Sequence, residues 1–194
     1  MTEYDVYKTP EADLGDGTID KPDLQFFPTS QKKLLILFIS TFGIYAVYWF
    51  YKNWHLQQAR MEQKITPALR ALFYIFFTHS LFRRIETAAV EKNISMSWSA
   101  NTLATVFVLL TIISKILDKI SGKSDVLGVA DVAGILILFV IVYPLYKIQE
   151  LVNRINDDEE GLLNCGFSFY NIVFIGMGSA VWILVAIGFS GYLE

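Results

Sequence analysis

The chain has 194 residues, of which 54% are hydrophobic and 18% charged, against about 45 to 50% and about 25% in ordinary soluble domains. This excludes a disordered protein, and because the apolar excess falls after Leu34 in long uncharged runs, it points to an integral membrane protein rather than a soluble core. The formal net charge of −3 disfavours nucleic-acid binding, and Cys165, the one cysteine, supports neither a disulfide framework nor a zinc site and reads as a small core residue.

Residues 1–31 form an acidic stretch carrying Glu3, Asp5, Glu11, Asp13, Asp16, Asp20 and Asp23 among glycines and prolines. Too few apolar groups are present to offset the entropy of ordering, so the composition predicts a flexible tail. The aspartate spacing is not that of a calcium loop. Nothing here has the basic start and apolar run of a signal peptide. Thr29 or Ser30 can cap the helix that follows, with Lys32 and Lys33 at the headgroups.

Leu34 to Tyr51 is free of charge, and as a helix this length reaches about 27 Å, enough to cross the hydrocarbon core. The sequence therefore predicts a first span over 34–51. Tyr45, Tyr48, Trp49, Tyr51 and Trp54 crowd its far end and read as an interfacial aromatic belt. Thr66-Pro67 is a helix start. The apolar stretch after it is uncharged only from Ala71 to Phe82, about 18 Å of helix. A short interfacial or re-entrant helix over 67–82 is the reading, with Arg70, Arg83 and Arg84 pairing with lipid phosphates. His79 lies inside it, as a neutral imidazole bonded locally or as a proton relay.

Two further spans are predicted over 100–117 and 128–146, joined by a short polar turn into a helical hairpin. Asp131 sits near the turn, at the surface or paired with Lys119 or Lys123. Beyond Lys147 the helix continues with Ile148, Leu151, Val152 and Ile155 on one face and a Glu150 to Arg154 pair on the other. An acidic turn at 156–160 ends it. The last span covers 171–190, with Gly176 and Ala180 four apart as a packing face for a neighbouring helix. Tyr48 to Lys52 and Tyr143 to Lys147 have similar composition, each followed by a polar helical extension, which allows a weak internal duplication.

The stretch Phe26 to Trp54, with Phe27 to Ser30, Gly43 to Trp54 and the later Ser80 to Ile85, resembles a family of small, functionally uncharacterised bacterial multi-pass membrane proteins. The resemblance covers the first half of the hydrophobic region well and the second loosely. It implies a bacterial inner-membrane location and supplies no catalytic residues.

These readings combine into an all-α polytopic membrane protein with four transmembrane helices and one short interfacial or re-entrant helix, 32–194 forming the membrane domain. No catalytic residue, cofactor or metal ligand is expected. The expected role is a non-enzymatic accessory or interaction subunit, binding the lipid bilayer and other membrane proteins or itself. The alternative is a solute or ion pathway lined by His79, Asp131 and the hydroxyls of Thr102, Thr105, Thr111 and Ser114. Counting positive charge does not orient the four-span arrangement, since either topology leaves equal numbers of Lys and Arg inside.

Overall fold

The computed structural model describes residues 24–122 and 128–190. Most of the acidic stretch, residues 1–23, lies outside the described residues. The elements are α1 (Gln31–Ser40), α2 (Tyr45–Gln58), α3 (Pro67–Leu72), α4 (Tyr74–Glu91), α5 (Ala100–Ser121), α6 (Val129–Ile155), a 3-10 turn at Leu162–Asn164, and α7 (Phe169–Ser190). Among the described residues there is no strand. Helices α5, α6 and α7 are long and apolar enough to cross a membrane, which makes this an integral membrane protein. Their outward residues, among them Leu109, Leu136, Phe139, Phe174 and Ile183, are apolar and exposed, as a hydrocarbon solvent requires.

The expected continuous span over 34–51 is instead two helices folded back on each other. α1 ends at Thr41, Phe42 takes a left-handed φ of 52° and Gly43 one of 83°. Gly43 N donates to Phe38 O at 2.8 Å and Phe42 N to Ile39 O at 3.2 Å, the Schellman pattern that closes a helix C-terminus. The Thr41 hydroxyl accepts from Tyr45 N at 3.0 Å and so starts α2 from the residue that stops α1. The return is antiparallel: Phe27 N, ahead of α1, donates to Asn53 Oδ1 near the end of α2, and Gln57 Nε2 donates to Gln25 O. Both ends of this hairpin lie beside the C-terminal end of α6, while its turn reaches Leu138 in the middle of that helix. Hydrophobicity alone made the run look like a span; the backbone reversal at Phe42-Gly43 breaks it.

The short helix expected over 67–82 is also divided differently. Pro67 starts α3 as anticipated, but Thr66 makes no capping bond with its side chain. A break at Phe73 then separates α3 from α4, which runs on past Phe82 through Arg83 and Arg84 to Glu91. α4 lies against α5: Glu86 Oε1 accepts from Ala100 N at 3.1 Å and Tyr74 packs on Phe107 with ring centroids 5.8 Å apart. A core of Trp49, Phe50, Trp54, Leu81, Phe82, Ile85, Phe107, Ile148 and Val152 joins α2, α4, α5 and α6. Burying rings and aliphatic chains of this size is the main term that holds these helices together on the polar side of the spans.

α6 runs 27 residues without interruption through Pro144, about 40 Å. Its last turns form the expected amphipathic extension, with Ile148, Leu151, Val152 and Ile155 buried. The Glu150 to Arg154 pair is replaced, because Glu150 binds Lys147 and the Arg154 guanidinium donates to Ser95 O at 3.3 Å. Asp157 pairs with Lys92 at 2.8 Å, and the Asp158 carboxylate accepts from Leu162 N and Leu163 N, so the acidic turn serves as a cap. Cys165 is exposed rather than in the core.

Candidate functional site

The polar interior of the molecule is organised around one extended peptide, Gln25 to Ser30. Five successive carbonyls of this segment each accept a hydrogen bond from a side-chain amide. Gln57 donates to Gln25 O at 2.8 Å, Asn156 to Phe26 O at 2.9 Å, Gln149 to Phe27 O at 3.2 Å, Asn164 to Pro28 O at 2.9 Å and Asn153 to Thr29 O at 3.0 Å. Gln149 also donates to Asn153 Oδ1 at 2.7 Å and accepts from Trp49 Nε1 at 2.6 Å, so the clamp is internally connected. Phe26 through Thr29 are buried. A backbone in that position cannot reach water, and the amides supply the partners a neighbouring strand would otherwise give. Residues 25–31, expected to be flexible, are therefore held in place, and Ser30 caps α1 by accepting from Lys33 N at 3.2 Å.

Beside this clamp, between the C-terminal end of α2 and the outer face of α4, opens a groove of about 760 Å³. Arg60, His79, Arg83 and Arg84 line it, opposed by the carboxylate of Glu91 alone among the described lining residues. Phe26 and Gln25 of the clamped peptide form one edge. Among the described lining residues, the adjacent Arg83 and Arg84 guanidiniums outnumber the one carboxylate, which makes a positive cleft in which field lines are focused, the arrangement that draws carboxylates or phosphates.

The residues singled out from sequence are dispersed. Trp49 and Trp54 are both 0% exposed, so they are core residues and form no interfacial belt. Arg70 lays its guanidinium over the Trp54 ring at 4.4 Å and over Phe77 at 5.1 Å, which takes it away from a lipid-phosphate role. Burial, together with the nearby Arg84, lowers its pKa from the ordinary arginine value. Gly176 and Ala180 face outward, and a side chain added at Gly176 meets nothing within 4 Å. The close approach within the chain is made by Gly178, where an added Cβ would lie 1.7 Å from Ser40 O.

His79 and Asp131 are not brought together. His79 Nε2 lies 3.1 Å from Thr105 Oγ1 on α5, facing the basic groove. Asp131 caps α6 at the other end of the spans, accepting from Gly128 N at 2.8 Å and from the Ser121 hydroxyl. Thr105 and Thr111 spend their hydroxyls on carbonyls of their own helix, Asn101 O and Phe107 O. Sequence reasoning missed the amides entirely. Their signal was present in Gln149 and Asn153, four apart on the same face as Ile148, Val152 and Ile155, positions where a polar residue needs a partner.

Compared with family models, curated proteins and solved structures, the chain matches none.

Proposed function

We propose that the chain is a non-enzymatic subunit of a membrane assembly, in a bacterial inner membrane, whose basic groove docks an acidic segment of a partner protein. The observation that carries this is the groove itself, where Arg83 and Arg84 lie beside His79, with Glu91 as the carboxylate among the described lining residues, on a support fixed by the amide clamp. A scaffold whose buried polar groups are consumed in holding its own backbone suits binding better than proton or solute movement. The separation of His79 from Asp131 weakens the pathway alternative.

Topology in this proposal is three spans, α5, α6 and α7, with α1 and α2 as a re-entrant hairpin. This arrangement breaks the tie in the charge count. Among the described residues, Lys115 and Lys119 are the Lys and Arg residues near the α5 to α6 turn, and the others lie toward the clamp side, which the positive-inside rule makes cytoplasmic. The groove then faces the cytoplasm.

A photo-crosslinking residue at Thr87, exposed on the groove wall, tests this in cells. A discrete adduct is expected from the wild-type background and its loss from the Arg83→Glu, Arg84→Glu background. If the adduct survives charge reversal, and cellular function is lost on His79→Ala instead, the docking reading fails and the pathway reading replaces it.

A further inference from the structure

The seam between the α1–α2 hairpin and α7 holds two adjoining cavities of opposite character. The one at the polar end, of about 410 Å³, is lined by Lys33, Lys52, Tyr45, Tyr48, Ser168 and Asn171, with no carboxylate among the described lining residues. The second, of about 380 Å³, shares Tyr45, Tyr48, Ser168 and Asn171 with the first and continues between Leu37, Ile44 and Phe174 toward the hairpin turn. Its added lining is apolar apart from the phenol of Tyr170 and Thr41, whose hydroxyl is already bonded to Leu37 O and Tyr45 N.

Among the described residues, no carboxylate compensates the charge in the first cavity. Lys33 is only 5% exposed, and its ammonium donates to two neutral acceptors, Asn164 Oδ1 and Gly166 O, each at 2.6 Å. Lys52 has the Phe27 ring at 5.5 Å as its neighbour. The Tyr45 hydroxyl is buried without a hydrogen-bond partner, although the residue lines both cavities. Two ammonium groups and a waiting hydroxyl at one end, and an apolar slot leading away from them, match a molecule that is anionic at its head and hydrocarbon below. α1, which walls the slot, has 10 residues, about 15 Å or half the hydrocarbon thickness, which is the depth of one leaflet.

We propose that this seam is a binding site for one anionic phospholipid, its phosphate between Lys33 and Lys52 with Tyr45 in reach, and one acyl chain in the slot between Leu37, Ile44 and Phe174. The site is separate from the basic groove and does not depend on how that groove is used. Bound there, the lipid joins α7 to the hairpin, which otherwise meet through Gly178, the Trp182 indole donating to Ile39 O at 3.1 Å, and the Phe42 to Trp182 ring stack.

The test uses the full chain purified in detergent and titrated with phosphatidylglycerol, with phosphatidylcholine, and with glycerol phosphate lacking acyl chains. Native mass spectrometry reads stoichiometry, and melting temperature reads the stabilisation. One phosphatidylglycerol per chain is expected to bind and raise the Tm, phosphatidylcholine to do so more weakly, and glycerol phosphate not at all. Lys33→Gln also removes bonds to Asn164 and Gly166, so Lys52→Gln is the cleaner variant. Losing one charged contact should weaken binding about tenfold or more, and Asn171→Trp should fill the junction of the cavities and abolish it. Arg83→Gln with Arg84→Gln should leave it unchanged. Equal binding of both phospholipids, binding of glycerol phosphate alone, or wild-type affinity in Lys52→Gln and Asn171→Trp would each overturn the assignment.

Discussion

The sharpest test of the α7 packing is a pair of glycine substitutions two residues apart. At Gly178 a Cβ would sit 1.7 Å from Ser40 O and 2.6 Å from Ser40 C, both backbone atoms of α1. Ordinary contact begins near 3.4 Å, so α7 must withdraw by about 1.7 Å along that line for Gly178→Ala to be accommodated. Withdrawal stretches the bond from Trp182 Nε1 to Ile39 O, now 3.1 Å, and opens the Phe42 to Trp182 stack, now 4.7 Å between centroids. Overpacking of this kind costs about 1 to 3 kcal/mol. At Gly176 nothing lies within 4 Å of an added Cβ, so Gly176→Leu should be neutral for the folded chain. The assay is thermal unfolding in detergent, followed by Trp fluorescence, whose signal includes the Trp182 environment. A Tm lowered by Gly176→Leu and unchanged by Gly178→Ala would refute the contact described here and restore the Gly176 and Ala180 face as the one that packs.

Other outcomes follow from the same geometry. Cysteines placed at the exposed Gln58 and Glu159 should be labelled from one side of the membrane and one at Lys119 from the other; labelling of Gln58 and Glu159 from opposite sides would show that 34–51 crosses after all. Asn153→Leu removes the donor to Thr29 O at 3.0 Å and the acceptor of the Gln149 amide at 2.7 Å, leaving two buried groups unpaired at about 1 to 3 kcal/mol each, measurable as a fall in Tm. Trp49→Phe should cost about 1 to 3 kcal/mol by orphaning Gln149 Oε1, an effect that a merely interfacial tryptophan would not show. Asp131→Asn keeps an acceptor for Gly128 N and should leave any cellular phenotype intact, since its present bonds are those of a helix cap; loss of function there would favour the pathway reading.

Composition and hydropathy were enough to read an all-α membrane protein, the α5 to α6 hairpin, the final apolar helix and the amphipathic end of α6, because long uncharged runs and a 3.6-residue period are dictated by the solvent on each side. The hairpin at 31–58 was not readable that way. Its two arms are as apolar as a span, and the only local sign of reversal is Ser40-Thr41-Phe42-Gly43, where one glycine and one capping hydroxyl sit inside an otherwise continuous run. A glycine in an apolar helix is common enough that the break became visible only with the left-handed φ at Phe42 and Gly43. Trp49 and Trp54 misled for a related reason: an indole at the end of an apolar run has the composition of an interfacial anchor, but here the polar-side bundle covers it. In α7 the period selects two candidate faces, and small residues on one did not reveal that the single buried glycine, Gly178, lies on the other.

The clamped peptide links the two proposed sites mechanically. Gln25 and Phe26 form an edge of the basic groove, whereas Phe27 and Pro28 line the cationic cavity at the α7 seam. The chain bends at Gln25-Phe26, so its first pair of residues faces the groove and the next pair the seam, and one short peptide can wall two cavities at once, provided its backbone is held elsewhere. The five amides do that holding, and they come from α2, the end of α6 and the turn after it. Movement of the peptide along its length by one residue would misalign the side chains that face groove and seam, and would break all five bonds together. The arrangement therefore favours a single rigid setting over a sliding one, and it gives the amide residues a role in both sites, with Gln57 lining the groove and Asn164 the seam cavity as well.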